Sequence, residues 1–153
     1  MAVLVILAAG TGFYISLKQS QNRLEQNAVA QGLFWPNPKR IKDFSSEDHN
    51  DKVFGLNQMS GKWSFVFFGY TNCPDICPIT MSVMADVYQK LVVEFEDIQI
   101  IFVTVDPERD TTNKLSSYVS YFNKDFIGLH DEPKNENSLI GQIGIAYYYN
   151  KEN

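Results

Sequence analysis

The sequence predicts an α/β layer protein. Two apolar runs rich in β-branched and aromatic residues, Trp63–Phe68 (WSFVFF) and Ile98–Val105 (IQIIFVTV), are each followed by a stretch with helical periodicity. Strands that alternate with helices bury their apolar faces as a sheet covered by helices. The composition agrees: 44% hydrophobic and 14% aromatic residues in 153 supply the core of one ordinary domain without disulfide staples.

Met1–Leu17 (MAVLVILAAGTGFYISL) carries no charged side chain. As a helix it would reach about 26 Å at 1.5 Å per residue, slightly short of a ~30 Å hydrocarbon core. A membrane anchor is the favoured reading, ahead of a cleaved signal peptide or a buried helix, because neither a basic n-region nor a clear cleavage site is present. Lys18 and Arg23 come after the segment and no Lys or Arg precedes it, which argues weakly against export of the main domain. Residues 18–34 are polar and read as a tether. Pro36 and Pro38 break any helix, and the folded domain is expected over 35–153.

Ile41–Phe44 and Lys52–Leu56 read as two short strands joined by the turn-forming stretch SSEDHND, an N-terminal β-hairpin. His49, in that turn among acids, reads as solvated rather than as a ligand. Trp63–Phe68 is apolar on both faces, so a central strand is expected. Pro78 fits the first turn of a helix running to about Phe95, with Met84, Val87, Tyr88, Leu91 and Phe95 on its inward stripe. Met81 and Met84 read as core rather than as thioether ligands. After the strand at Ile98–Val105, Asp110 or Thr111 is expected to cap a helix ending near Phe122. A short strand at Phe126–Leu129, a loop at His130–Pro133, a helix over Asn135–Ala146 and a further strand from Tyr147 complete the pattern.

The net charge of −5 and the lack of a basic stripe exclude nucleic-acid binding as a leading function. The basic cluster Lys39, Arg40 and Lys42 is short and reads as a solvated loop. The chemistry lies in Cys73 and Cys77, the two cysteines of the chain, at the strand-to-helix junction in Cys-Pro-Asp-Ile-Cys. Residues four apart share one helix face. A helix N-terminus stabilises a thiolate, so lowered thiol pKa values are expected there. Such thiols serve disulfide exchange or a soft metal. Structural zinc needs four ligands, and no second cysteine pair exists. Thioredoxin-type reductases use a two-residue spacer. The three residues here favour metal over simple dithiol exchange, with two buried structural thiols as the bland alternative.

The stretch GYTNCPDICP resembles the signature of the Sco/SenC family, copper proteins involved in assembling the dinuclear copper site of cytochrome c oxidase. VTVDPERDT is similar to that family's strand-end loop, KDFSSEDHNDKVFGLNQMSGKWSFVFF to its hairpin and central strand, and IGIAYYY to its last helix and following strand. The resemblance covers about Trp35 to the C-terminus. It implies a thioredoxin-like fold, incomplete at its C-terminus, in a membrane-tethered domain facing the periplasm or, in mitochondria, the intermembrane space. That implication outweighs the charge argument at Lys18. It also implies that Cys73 and Cys77 bind copper, Cu(I) favoured for a two-thiolate set, and are able to form a reversible disulfide. The implied function is a metallochaperone, not an enzyme, whose partner is the copper-site subunit of cytochrome c oxidase. The alternatives are a thiol–disulfide oxidoreductase acting on that partner, with Cys73 attacking, and a redox or copper sensor. The family's third ligand is a histidine in an Asp-His-Ser stretch beyond the region matching Tyr147–Tyr149. Neither histidine of this chain stands there, so a fragment lacking that ligand and the final strands is expected, with an exposed strand edge. His130 is the candidate substitute ligand, approaching from the end of the sheet.

Overall fold

The computed structural model describes residues 37–132, 135 and 137–147. The expected anchor (1–17) and tether (18–34), and most of the strand expected from Tyr147, lie outside the described residues. A compact unit begins at Arg40. Its elements are β1 (Ser46–Asp48), β2 (Val53–Phe54), α1 (Leu56–Met59), β3 (Trp63–Gly69), α2 (Ile76–Leu91), β4 (Ile98–Thr104), α3 (Thr112–Phe122), β5 (Ile127–His130) and α4 (Leu139–Ile143). They form one five-stranded sheet in the order β2-β1-β5-β4-β3. β3, β4 and β5 are parallel, and β1 runs antiparallel to both β2 and β5.

Each face of the sheet carries a core. On one, Ile100 and Phe102 of β4 meet Met81, Ala85 and Tyr88 of α2 and Leu115 and Val119 of α3. On the other, Ile101, Val103 and Leu129 meet Phe44, Phe54, Leu139 and Ile140. Gly128 lets α3 lie close on β5: a Cβ there would stand 2.7 Å from the Leu115 Cγ. The α/β layer architecture predicted from the apolar runs is therefore present.

Several details differ from the sequence reading. The hairpin is shifted, and β1 falls inside the stretch expected to be a turn. The ladder decides this, since Glu47 and Asp48 pair with His130 and Leu129. The turn itself is made by Asp48, whose Oδ1 accepts the N–H groups of Asn50 (2.8 Å) and Lys52 (3.0 Å), and by Asp51 at φ 59°. His49 is half-buried: its N–H donates to the Gly128 carbonyl (2.8 Å) and its Nδ1 accepts from the Gly128 N–H (3.0 Å).

β3 borders the described sheet instead of being central, and β4 is the strand buried on both faces. An apolar pattern reports what covers a strand's faces and says nothing of its neighbours along the hydrogen-bonding direction. α2 starts at Ile76 and ends at Leu91. Its buried stripe is Cys77, Met81, Ala85 and Tyr88, while Val87 and Phe95 are 38% and 48% exposed. The inward face thus follows the cysteine rather than the larger apolar side chains. Met81 is fully buried in the core and Met84 packs against it. His130 is not in a loop but closes β5. α4 is shorter than expected: Ser138 caps it by accepting the Gly141 N–H (2.9 Å), and Gly144, at φ 82°, ends it.

Two buried polar groups tie the ends of the unit together. Asp131 accepts the Ser46 hydroxyl (2.8 Å) and the Ile140 N–H (2.8 Å). Gln142 accepts the Lys42 N–H (2.7 Å) and donates to the Lys42 carbonyl (3.2 Å).

Candidate metal centre

β3 ends at Gly69 and the chain turns through Tyr70–Asp75 into α2. The first N–H groups of a helix lack partners within it. Here the Cys77 N–H donates to the Cys73 Sγ (3.4 Å), so the Cys73 sulfur lies at the positive end of α2. Pro78 sits in the first turn, where its missing donor leaves nothing unpaired. The turn thus brings both sulfurs together. Cys73 is 9% and Cys77 4% exposed, and both are free thiols.

Gly69 allows this approach. A Cβ at that position would stand 2.9 Å from the Phe102 ring, 3.1 Å from the Phe67 ring and 3.2 Å from the Cys77 Sγ. The second support is Asp110, fully buried just before α3. One carboxylate oxygen accepts the Thr71 N–H (2.9 Å) and the Thr104 hydroxyl (2.6 Å), and the other accepts the Thr71 hydroxyl (2.5 Å). Asp110 therefore fastens the cysteine loop to the end of β4. The cap of α3 is Thr111, which accepts the Lys114 N–H. Nearby, Asp106 pairs with Arg109. In the sequence Asp110 is legible only as a cap candidate, because nothing local distinguishes a cap from a clasp on a distant loop.

The two thiols are made unequal. Burial raises the Cys73 thiol, but hydrogen bonds from the Cys77 thiol, the Cys77 and Asp75 N–H groups and the Tyr70 hydroxyl outweigh it and hold Cys73 below the ordinary value. Burial pushes Cys77 up from 9.0 to about 11, helped by donating its thiol proton to Cys73 and by the charges of Cys73 and Asp110. The helix N-terminus was expected to lower both thiols; for Cys77 burial prevails. Tyr70, which sequence reasoning passed over, is raised by burial and by the cysteine charges. The Tyr118 hydroxyl is buried without a hydrogen-bond partner among the described residues.

Cys73 and Cys77 are thus brought together and His130 is not brought into a three-ligand group with them. His130 pairs with Thr104, which pairs with Gly69, so two strand spacings of about 4.8 Å separate its backbone from the end of β3. No group of three or more His, Cys, Asp or Glu that could hold a metal occurs among the described residues. His49 is engaged with Gly128. The donor set present is two adjacent sulfurs, which suits Cu(I) in linear coordination and lacks the nitrogen and oxygen donors that Cu(II) prefers.

A thioredoxin-like α/β sheet with a thiol pair at the β3-to-α2 junction defines a class of redox and metal-carrying domains. Within it the chain belongs to one family: the SCO1/SenC family model matches residues 36–152. The "Putative copper-binding protein" of Stutzerimonas stutzeri is 35% identical over 128 residues, covering 81% of this chain and 63% of that protein. The chain thus spans under two thirds of that relative. Arabidopsis thaliana ScoI, solved with copper bound, has a TM-score of 0.67 and 32% identity, covering 74% of this chain and 72% of that one. BsSco, solved in work that identified a disulfide switch in it, has a TM-score of 0.55 and 27% identity, covering 65% of this chain and 59% of that one; it is described as a member of the Sco family of cytochrome c oxidase assembly proteins.

Proposed function

We propose that this chain carries copper as Cu(I) on Cys73 and Cys77 and hands it to the copper-site subunit of cytochrome c oxidase during its assembly. The observation that carries this reading is the thiol pair itself: two buried sulfurs of adjacent position at a helix N-terminus, with the Cys73 thiolate favoured. The copper bound by a solved relative and the oxidase-assembly description of another support the cargo and its destination. Handover is ligand exchange. An acceptor thiolate or imidazole bonds to copper as a cysteine sulfur leaves and takes back a proton, and no substrate bond is made or broken. The apolar segment 1–17 would tether the domain to a membrane, facing the periplasm or the intermembrane space. Among the described residues no helix is long and apolar enough to cross a membrane.

The test is anaerobic titration of the reduced protein with Cu(I) against a competing chelator, and separately with Cu(II). One Cu(I) per chain is expected, lost in Cys73→Ala and in Cys77→Ala, with Cu(II) held more weakly. Copper binding that survives both substitutions, or fails in the parent protein, overturns the reading.

A second reading, thiol–disulfide exchange on cysteines of a partner, is favoured by the inequality of the thiols. Cys73 is the better nucleophile and the less buried, while Cys77 keeps its proton for the resolving step. Reduction of a partner disulfide that persists where copper binding fails would select it.

A further inference from the structure

An open groove of about 640 Å³ runs beside the cysteine loop. Thr71, Asn72 and Pro78 form one wall and bracket both cysteines in sequence; Tyr118, Tyr121 and Phe122 of α3 form the other. The aromatic wall is continuous, with Tyr118–Phe122 and Tyr121–Phe122 ring centroids 5.2 and 5.1 Å apart in edge-on contact. Tyr121 is 83% exposed even though its ring edge meets Phe122. Exposed aromatic side chains on a concave surface are the usual anchors of protein interfaces. No acidic residue lines the groove, in a chain of net charge −5. Its one cationic residue, Lys114, donates to the Arg109 carbonyl (3.2 Å). The lining is therefore mainly aromatic and, apart from Lys114, uncharged, which suits an apolar occupant and offers a cationic one no carboxylate to pair with.

We propose that this groove docks an extended, apolar, uncharged-to-acidic segment of the polypeptide that receives copper, placing its thiol or imidazole against the cysteine loop. The inference rests on the copper-carrying reading for what is exchanged, but not for what is bound. With both sulfurs buried, copper does not pass freely through solvent, and a segment lying along Thr71, Asn72 and Pro78 is in contact with the loop that holds them. Transfer balances without electrons: the incoming thiol loses its proton as its S–Cu bond forms, and the departing cysteine takes a proton as its own breaks.

Two short synthetic cysteine peptides of equal length test this, one with Leu, Phe and Asp flanking the cysteine and one with Gly and Ser. Glutathione is the third acceptor. Cu(I)-loaded protein should pass copper to the apolar peptide about tenfold faster than to the Gly/Ser peptide. Tyr121→Asp and Ser117→Glu, both at residues that line the groove, should erase that preference, leaving Cu(I) binding and transfer to glutathione unchanged, while Tyr121→Phe retains it. Equal rates for the two peptides, or a preference that survives both substitutions, overturns the proposal. Fluorescence anisotropy of the labelled apolar peptide on copper-free protein reads docking separately, so failure of copper loading leaves the groove decidable. Self-association of the chain that is abolished by Tyr121→Asp would assign the groove to a second copy and overturn the proposal.

Discussion

At the scale of single residues, the thiol pair shows how position and burial oppose each other. Cys73 lies outside α2 yet gains the helix N–H groups, whereas Cys77, inside the first turn, is pressed against the β3–β4 face at Gly69. Because Cys77 is raised from 9.0 to about 11, it stays protonated in the fold while an unfolded thiol ionises. Its contribution to stability is present below about pH 9 and is lost as pH rises toward 11. Cys73 acts in the opposite sense. Its lowered value contributes above the ordinary thiol range, and that contribution is lost as pH falls through its folded value. Ultraviolet thiolate absorbance of the reduced, metal-free protein should therefore show two separated steps. Cys73→Ala should remove the earlier one, and Cys77→Ser should flatten the alkaline loss of urea resistance. Two thiols titrating together at the ordinary value would refute this account.

At the scale of elements, the contact of α3 with β5 is set by one missing side chain. Gly128→Ala would place a Cβ 2.7 Å from the Leu115 Cγ and within 3.2 Å of both its methyl carbons. Overpacking of this kind costs about 1–3 kcal/mol. The urea midpoint should fall by a corresponding amount, and the loss should be partly relieved when Leu115→Ala is combined with it. Elements of this sort were readable to different degrees. β4 and α3 were plain because burial on both faces and a capped amphipathic stripe leave local signatures. β1 was not, since Ser46–Asp48 has a turn's composition and is a strand through its pairing with β5. The stripe of α2 was right in Tyr88, and in Met84, which packs on the core, but missed the small and sulfur-bearing Cys77, Met81 and Ala85, which are buried; Met81 and Ala85 share the core with Phe102. At the site, the cysteines announce themselves by spacing. The clasp of Asp110 on Thr71 and Thr104 joins residues distant in sequence, and no local pattern encodes it.

At the scale of the whole molecule, the sheet divides into a parallel part that carries the thiols and an antiparallel border that closes it. The border is held by few groups. His49 gives and receives a hydrogen bond with Gly128. His49→Ala should leave the Gly128 N–H without its acceptor at a cost of about 1 kcal/mol. If the border forms after the rate-limiting step, stopped-flow mixing should show this loss almost wholly as faster unfolding, with the folding rate unchanged. An equal loss in the folding rate would place the border in the nucleus instead.

That border has a consequence in time. Glu47 faces His130, more than eighty residues further along the chain, so β1 emerges from the ribosome long before the strand it needs. Until β5 arrives, the ribbon of β1 and β2 has only itself, and an isolated pair of short strands is at best marginal in water. The register of this border therefore waits on residues the ribosome has yet to deliver, while β3 and β4 are able to pair before them.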